Sequence, residues 1–232
     1  SCEVTKSLFA LHLPKSNFLS VKKLAGQTMW YGVSTIASKS INYLLTPYIT
    51  YSALVTTADF GRMGAVYSMV PFMNVLFTYG METTYFRFIQ KKEREEAVNN
   101  TTAISLLIST LLLSVLLWLN QPLLIKATSL EDFPLLIQLS IVIIGLDALA
   151  AIPLARLRNE GRPLYFAFVR ITSILVNLAI TVFLLGYGKA YLDQHPNSFL
   201  RLIYRPGVNP ITYVLIANVV QSVFSLLLLS KW

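Results

Sequence analysis

Long apolar runs recur along the whole chain, and a short link of charged residues, prolines or small polar residues separates each run from the next. A helix needs about 20 mostly apolar residues to cross the hydrocarbon core of a bilayer, because every backbone N–H and C=O group there must be satisfied internally. Six runs reach this length, at residues 24–50, 62–88, 98–119, 135–155, 164–187 and 211–229. The pattern predicts an all-α integral membrane protein, a bundle of six transmembrane helices.

The composition favours lipid over water as the main solvent of this chain. Hydrophobic residues make up 55% of the 232 residues and charged residues only 13%, against about 25% charged residues in soluble domains. The net charge of +8 comes from short basic clusters between the runs, which argues against nucleic acid as a partner. No metal site or cofactor is predicted, because Cys2 is the single cysteine and the two histidines, His12 and His195, lie far apart outside the runs.

Basic residues are concentrated in alternate links, which the positive-inside rule assigns to the cytoplasm. These clusters are Lys15, Lys22 and Lys23 before the first run; Arg87, Lys91, Lys92 and Arg94 after the second; and Arg156, Arg158 and Arg162 after the fourth. The other links carry fewer basic residues for their length. Both termini are therefore predicted to be cytoplasmic. Residues 1–22 are interpreted as a cytoplasmic leader whose composition is compatible with disorder, and residues 23–232 as the transmembrane lobe.

Polar side chains form a stripe along the first run. At 100° per residue, Thr28, Thr35, Lys39, Asn42 and Thr46 fall within one narrow sector. Lys39 lies near the middle of the run, where a lysine costs about 2.5 to 3.5 kcal/mol on insertion scales. This stripe is expected to face something other than lipid.

Similar stripes occur in the later runs. The polar residues are Tyr67, Asn74, Thr78, Glu82 and Tyr85 in the second run; Asp147 in the fourth; Arg170, Ser173, Asn177 and Thr181 in the fifth; and Asn218, Gln221, Ser222 and Ser225 in the sixth. Neutral polar residues in membrane helices commonly join one helix to another. Arg62 and Arg87 lie at the ends of the second run, where they either extend to the interface or contact lipid headgroups.

The buried cations allow two interpretations. Lys39 and Arg170 either have a structural carboxylate partner or line a water-filled cavity. Asp147 and Glu82 are the available partners for Lys39. The sequence leaves both interpretations open.

Three segments carry a resemblance to a known family. They are LAGQTMWYGVSTIASKSINYLLTPYIT at 24–50, ADFGRMGAVYSMVPF at 58–72 and YGMETTYFRF at 79–88. A lysine in mid-run before Asn-x-Leu-Leu-Thr-Pro, an acidic-Phe-Gly turn, and a Gly-Met-Glu exit ending in Arg-Phe resemble the N-terminal half of the polysaccharide-biosynthesis flippases. These are the Wzx-type proteins of the multidrug/oligosaccharidyl-lipid/polysaccharide exporter superfamily. The later runs agree with that family in spacing and hydropathy.

The resemblance implies two six-helix lobes around a central cavity that opens alternately to the two sides of the bacterial inner (cytoplasmic) membrane. The implied substrate is a polyprenyl-diphosphate-linked oligosaccharide, moved from the inner to the outer leaflet without an enzymatic step or a cofactor. The expected cavity residues are Lys39, Arg170, Asn42, Asn74, Glu82 and Asn177, with Arg62 and Arg87 as gate or headgroup contacts and Asp147 as an ion-pair partner. Cations aimed inward would suit a diphosphate.

The expected partners are the lipid-linked oligosaccharide, membrane lipids and a C-terminal lobe. Family members have roughly twice as many helices, and alternating access needs two halves. The chain is therefore expected to be the N-terminal fragment of a longer protein and to be inactive alone, although pairing of two copies is the alternative.

Two other functions remain open. A multidrug-type exporter of the same superfamily would favour an acidic cavity. A membrane-embedded enzyme acting on polyprenyl lipids would need a metal motif or a nucleophile beside a base, and the sequence offers neither at recognisable spacing. The prediction is therefore a transporter and not an enzyme.

Overall fold

The computed structural model describes residues 15–51, 55–90, 95–128, 130–195, 201, 203–204 and 208–230. Within these segments the backbone alone is described for residues 15–25, 27–28, 38–39, 41–42, 44, 189–190 and 193. Helices account for most of the described segments, and these contain no strand. The all-α fold class is therefore confirmed for this part of the chain.

The helices are numbered here in chain order. They are α1 (Lys15–Thr50), α2 (Thr57–Thr78), α3 (Met81–Phe88), α4 (Glu95–Leu119), α5 (Gln121–Thr128), α6 (Pro134–Asn159), α7 (Pro163–Val182), a π-helical turn (Phe183–Tyr187), α8 (Gly188–Gln194) and α9 (Ile211–Leu229). The first helix thus begins within the segment interpreted as a leader.

Four helical segments in the described part are long and apolar enough to cross a membrane. They are Glu95–Leu119, Pro134–Asn159, Pro163–Tyr187 and Ile211–Leu229, and they match the third to sixth predicted spans. The chain is therefore a multi-pass membrane protein. α1 and α2 are also long, but their polar stripes lower the mean hydropathy. The count of six spans and the cytoplasmic position of both termini stay predictions.

The second predicted span, 62–88, is two helices and not one. α2 ends at Thr78, and the next two residues, Tyr79 and Gly80, have left-handed backbone with φ of 35° and 72°. Two left-handed residues in succession break a right-handed helix, and glycine adopts this conformation far more easily than tyrosine. α3 therefore starts afresh at Met81 and packs against α4 and α6.

α6 is the central helix of the described bundle. It packs against α2, α3, α4 and α9, while α7 packs against α1 and α9. Its apolar side chains, among them Leu136 and Ile141, form a buried cluster with Val66 of α2 and Leu215 of α9. A second cluster joins Tyr85 of α3 to α4 and α6. Packing from several sides fixes the polar positions of α6 relative to its neighbours.

Candidate functional site

A cavity of about 310 Å³ lies among α2, α3, α6, α7 and α9, and we call it the charged cavity. The charged and amide side chains in its lining are Asn74, Glu82, Asp147, Arg158, Arg170 and Gln221. Charged side chains within membrane helices are costly, so a group of them facing one space marks a functional region. Four residues of the predicted set are brought together here: Asn74, Glu82, Asp147 and Arg170.

Glu82 and Arg158 form an ion pair across this cavity. The distance from Arg158 Nη2 to Glu82 Oε1 is 2.7 Å, and both side chains remain partly exposed, at 34% and 41%. The guanidinium of Arg158 also lies over the rings of Phe86 and Phe166, 5.6 and 5.8 Å from their centroids. Arg158 is thus held in position by a carboxylate and two rings while it still faces the cavity.

The second guanidinium of the cavity belongs to Arg170 of α7. It lies 5.8 Å from the centroid of the Phe166 ring, which is the same distance as for Arg158. Phe166 therefore holds two guanidinium groups against one ring, through the attraction between a cation and an aromatic face. Both guanidinium groups line the same cavity, and they are close enough to interact electrostatically.

Asp147 is the second carboxylate of the charged cavity. It accepts a hydrogen bond of 2.7 Å from Ser222 Oγ of α9, and it interacts electrostatically with Arg170. The described lining thus carries two guanidiniums and two carboxylates. The side chains of Lys39 and Asn42 lie outside the described residues, so their place in the cavity and the pairing of Lys39 stay predictions.

Arg158 is a cavity residue that sequence reasoning assigned only to a cytoplasmic link. It follows Asp147 by eleven positions in α6, which is about three helical turns, so the two residues lie on the same helix face. Leu154 and Ala151, at intermediate helical spacing, also line the cavity. Extending the face of Asp147 to the end of the helix would have identified Arg158.

A second cavity of about 260 Å³, which we call the neutral cavity, is lined by residues of α1, α2, α7 and α9. Its polar residues are Thr46, Tyr67, Asn177 and Asn218. Asn177 Nδ2 donates to Asn218 Oδ1 at 2.6 Å, and Asn218 Nδ2 donates to the hydroxyl of Tyr67. Asn177 was expected in the same cavity as Arg170. It lies seven residues further along α7, about 10 Å away along the helix axis, and lines the neutral cavity instead.

Arg62 belongs to a cluster around the buried carboxylate of Asp59, at the other end of α2. Its Nη1 lies 2.8 Å from Asp59 Oδ1, and its guanidinium lies 4.8 Å from the centroid of the Phe133 ring. Asp59 also accepts hydrogen bonds from the Thr56 backbone and hydroxyl and from Asn209 Nδ2. Arg62 therefore has partners in α2 and at the start of α6, outside the lining of the charged cavity.

The hydrogen bonds of Asp59 determine its ionisation. Burial alone would raise the pKa of this carboxyl, but the hydrogen bonds from Thr56, Asn209 and Arg62 together outweigh it and lower the pKa. Asp59 precedes residue 62, where the predicted span begins. Arg87, the other predicted gate residue, is exposed in the last turn of α3.

Comparison with known proteins identifies one family. A family model described as a polysaccharide biosynthesis protein matches residues 52–192, which is more than half of the 232 residues. The matched range contains α2 to α7 and hence both ion pairs described above. No curated protein and no solved structure matches the chain.

Proposed function

Because the chain belongs to the polysaccharide biosynthesis protein family, we propose that it moves a polyprenyl-diphosphate-linked oligosaccharide from the inner to the outer leaflet of the bacterial cytoplasmic membrane. The membership confirms the family-level resemblance found in the sequence. The observation that supports a flippase is the charged cavity, where Arg158 and Arg170 hold their guanidinium groups against the same ring inside an apolar bundle.

A diphosphate suits this pair of guanidinium groups. Each guanidinium presents a planar fork of N–H donors that matches phosphate oxygens, and such charge-assisted hydrogen bonds are roughly twice as strong as neutral ones. The surrounding apolar helices weaken dielectric screening and strengthen these contacts further. A lipid-linked diphosphate can therefore be held while its lipid tail stays in the bilayer.

The two carboxylates balance the guanidiniums when the cavity is empty. Ionisable side chains within membrane bundles commonly pair with one another, and Glu82 is that partner for Arg158 at 2.7 Å. An entering diphosphate would replace Glu82 as the anion on Arg158. Binding in the proposed cycle is therefore an exchange of one anion for another.

Translocation also requires a second half. In alternating access one bundle rocks against another around a central site, so we propose that this bundle works against a second lobe, as the resemblance implies. The proposed function contains no enzymatic step, because the charged cavity would hold the diphosphate through ionic contacts and release it unchanged.

The test uses variants of Arg158 and Arg170 in the native reading frame, in a strain that lacks the gene. Arg158→Gln and Arg170→Gln should each lower surface polysaccharide about tenfold or more, because each removes a charged hydrogen bond worth about 1.5 to 3 kcal/mol. Lipid-linked oligosaccharide should accumulate inside. Lys126→Gln, an exposed substitution on α5 outside both cavities, is the matched control. Normal surface polysaccharide from both arginine variants at equal membrane expression would contradict the proposal.

The alternative is a multidrug-type exporter, and the two carboxylates of the cavity favour it. A cationic drug would pair with Asp147 and Glu82 in place of Arg170 and Arg158. In that case Asp147→Asn would increase drug susceptibility of the cells and leave surface polysaccharide unchanged. The same strain therefore distinguishes the two functions.

A further inference from the structure

The charged cavity and the neutral cavity follow one another along the same three helices. On each helix a residue of one lining is seven positions from a residue of the other: Tyr67 and Asn74 on α2, Asn177 and Arg170 on α7, Asn218 and Ser225 on α9. Seven residues are nearly two full turns, so each pair shares a helix face and is separated by about 10 Å along the axis. The two cavities are therefore neighbouring compartments, displaced from each other along the axes of these helices.

The compartments differ in chemistry. The charged cavity contains two guanidiniums and two carboxylates, whereas the described lining of the neutral cavity contains no charged side chain. Its polar groups are the amides of Asn177 and Asn218 and the hydroxyls of Tyr67 and Thr46, set among Leu45, Ile49, Met63 and Val214. Neutral donors and acceptors beside apolar walls match an uncharged ligand that has many hydroxyl groups and apolar faces.

The two asparagine amides of the neutral cavity retain hydrogen-bonding capacity. An asparagine amide has two N–H donors and an oxygen with two lone pairs. In the described part of the chain, Asn218 uses one donor toward Tyr67 and one lone pair toward Asn177. Asn177 likewise donates once and accepts once, from Thr181. Asn218 is partly exposed and can therefore still bind a ligand hydroxyl without breaking its contact with Asn177, whereas Asn177 is buried and holds Asn218 in position.

We infer that the neutral cavity is a carbohydrate subsite, which holds an uncharged sugar unit next to the diphosphate bound in the charged cavity. The inference rests on the proposed function and adds to it the position of the sugar. On α7 the two linings come within three positions of each other, at Ile174 and Asn177, which is about 4.5 Å along the axis. A sugar joined to a diphosphate in the charged cavity can therefore reach the neutral cavity. Asn218 and the Tyr67 hydroxyl thus contact the glycan, while Arg158 and Arg170 contact the diphosphate.

Two soluble probes measure the two compartments separately. The purified full-length protein is titrated with inorganic pyrophosphate by calorimetry, and with glucose, galactose and N-acetylglucosamine by ligand-observed NMR. Tyr67→Phe keeps the ring and removes the hydroxyl, and Asn218→Leu removes the amide. Both variants should weaken binding of at least one sugar about fivefold for each hydrogen bond lost, with pyrophosphate affinity unchanged. Arg170→Gln should show the reverse pattern.

Four results would each overturn the subsite. The wild type could bind pyrophosphate but none of the three sugars, or its sugar affinity could equal that of both variants. Tyr67→Phe could lose affinity for the sugar and for pyrophosphate equally, or Arg170→Gln could lose affinity for the sugar. If Asn218→Leu does not fold, Tyr67→Phe alone provides the test, because it removes only one hydroxyl. Failure of the proposed function is distinct, since the wild type would then not bind pyrophosphate at all.

Discussion

Glu82 of α3 forms an ion pair with Arg158 of α6 in the lining of the charged cavity, with 2.7 Å between Glu82 Oε1 and Arg158 Nη2. The contact depends on the left-handed turn at Tyr79 and Gly80, which ends α2 and starts α3 two residues before Glu82. Because both partners remain partly exposed, the pair contributes at most about 1 kcal/mol to stability. Under the proposed function, an anion that binds Arg158 competes with Glu82 for the same guanidinium.

Replacing Glu82 should tighten anion binding. Glu82→Gln keeps the size of the side chain and removes the competing charge, so we expect pyrophosphate to bind about three- to tenfold more tightly, in keeping with about 1 kcal/mol for a partly exposed pair. Calorimetry on the purified protein measures this. In the double variant with Arg158→Gln the gain should disappear. Weaker binding by Glu82→Gln would show that Glu82 contributes to the anion site and does not compete for it.

The turn at Gly80 should be sensitive to a side chain. Gly80 has φ of 72°, a left-handed conformation that costs a residue with a side chain about 1 to 2 kcal/mol. Gly80→Ala should therefore lower stability by about that amount in detergent unfolding experiments. Gly64→Ala is the matched control, because Gly64 lies within α2 and a Cβ added there would meet no atom within 4 Å. Equal effects of the two substitutions would rule out backbone strain as the cause.

Local properties of the sequence predicted much of this fold. The third and sixth spans, 98–119 and 211–229, match Glu95–Leu119 and Ile211–Leu229, because hydropathy and length alone define a helix that crosses lipid. The break at Gly80 was missed, since a single glycine within a helical pattern is tolerated and does not by itself end a helix. A glycine in an apolar run is compatible with a helix or a turn, and packing of α3 against α4 and α6 decides between them.

The candidate site was less accessible to sequence reasoning than the helices. The stripes predicted that polar faces turn away from lipid, and Asn74, Asp147 and Arg170 do line one cavity. Which residues pair was not predictable, because the partner of Glu82 is Arg158 from a helix distant in the chain. Asn177 shares a face with Arg170, yet two turns of helix place it in the neutral cavity. Periodicity predicts which residues share a helix face, but it does not predict which of them line the same cavity along the helix axis.

Acid should destabilise the cluster around Asp59. The pKa of Asp59 is lowered in the folded protein, so its stabilising contribution is present above its unfolded pKa of about 3.9 and is lost as the pH falls through the lower folded value. Asp59→Asn should lower stability at pH 7 by about 1 to 3 kcal/mol and should flatten the decline below about pH 4. Unfolding temperatures between pH 3 and 7 measure both effects. If the unfolding temperature of Asp59→Asn falls with pH as steeply as that of the wild type, the acid sensitivity comes from other carboxylates.

Lys39 remains the strongest cavity prediction made from the sequence, and α1 packs against α7, the helix that carries Arg170. If Lys39 contacts the diphosphate as a cation, Lys39→Ala should abolish transfer of lipid-linked oligosaccharide and Lys39→Arg should retain part of it, since arginine keeps the charge with a different geometry. Both variants are compared at equal membrane expression, with Lys126→Gln as the control. If both transfer normally, Lys39 is a packing or pairing residue, and Arg158 and Arg170 are left as the cations of the site.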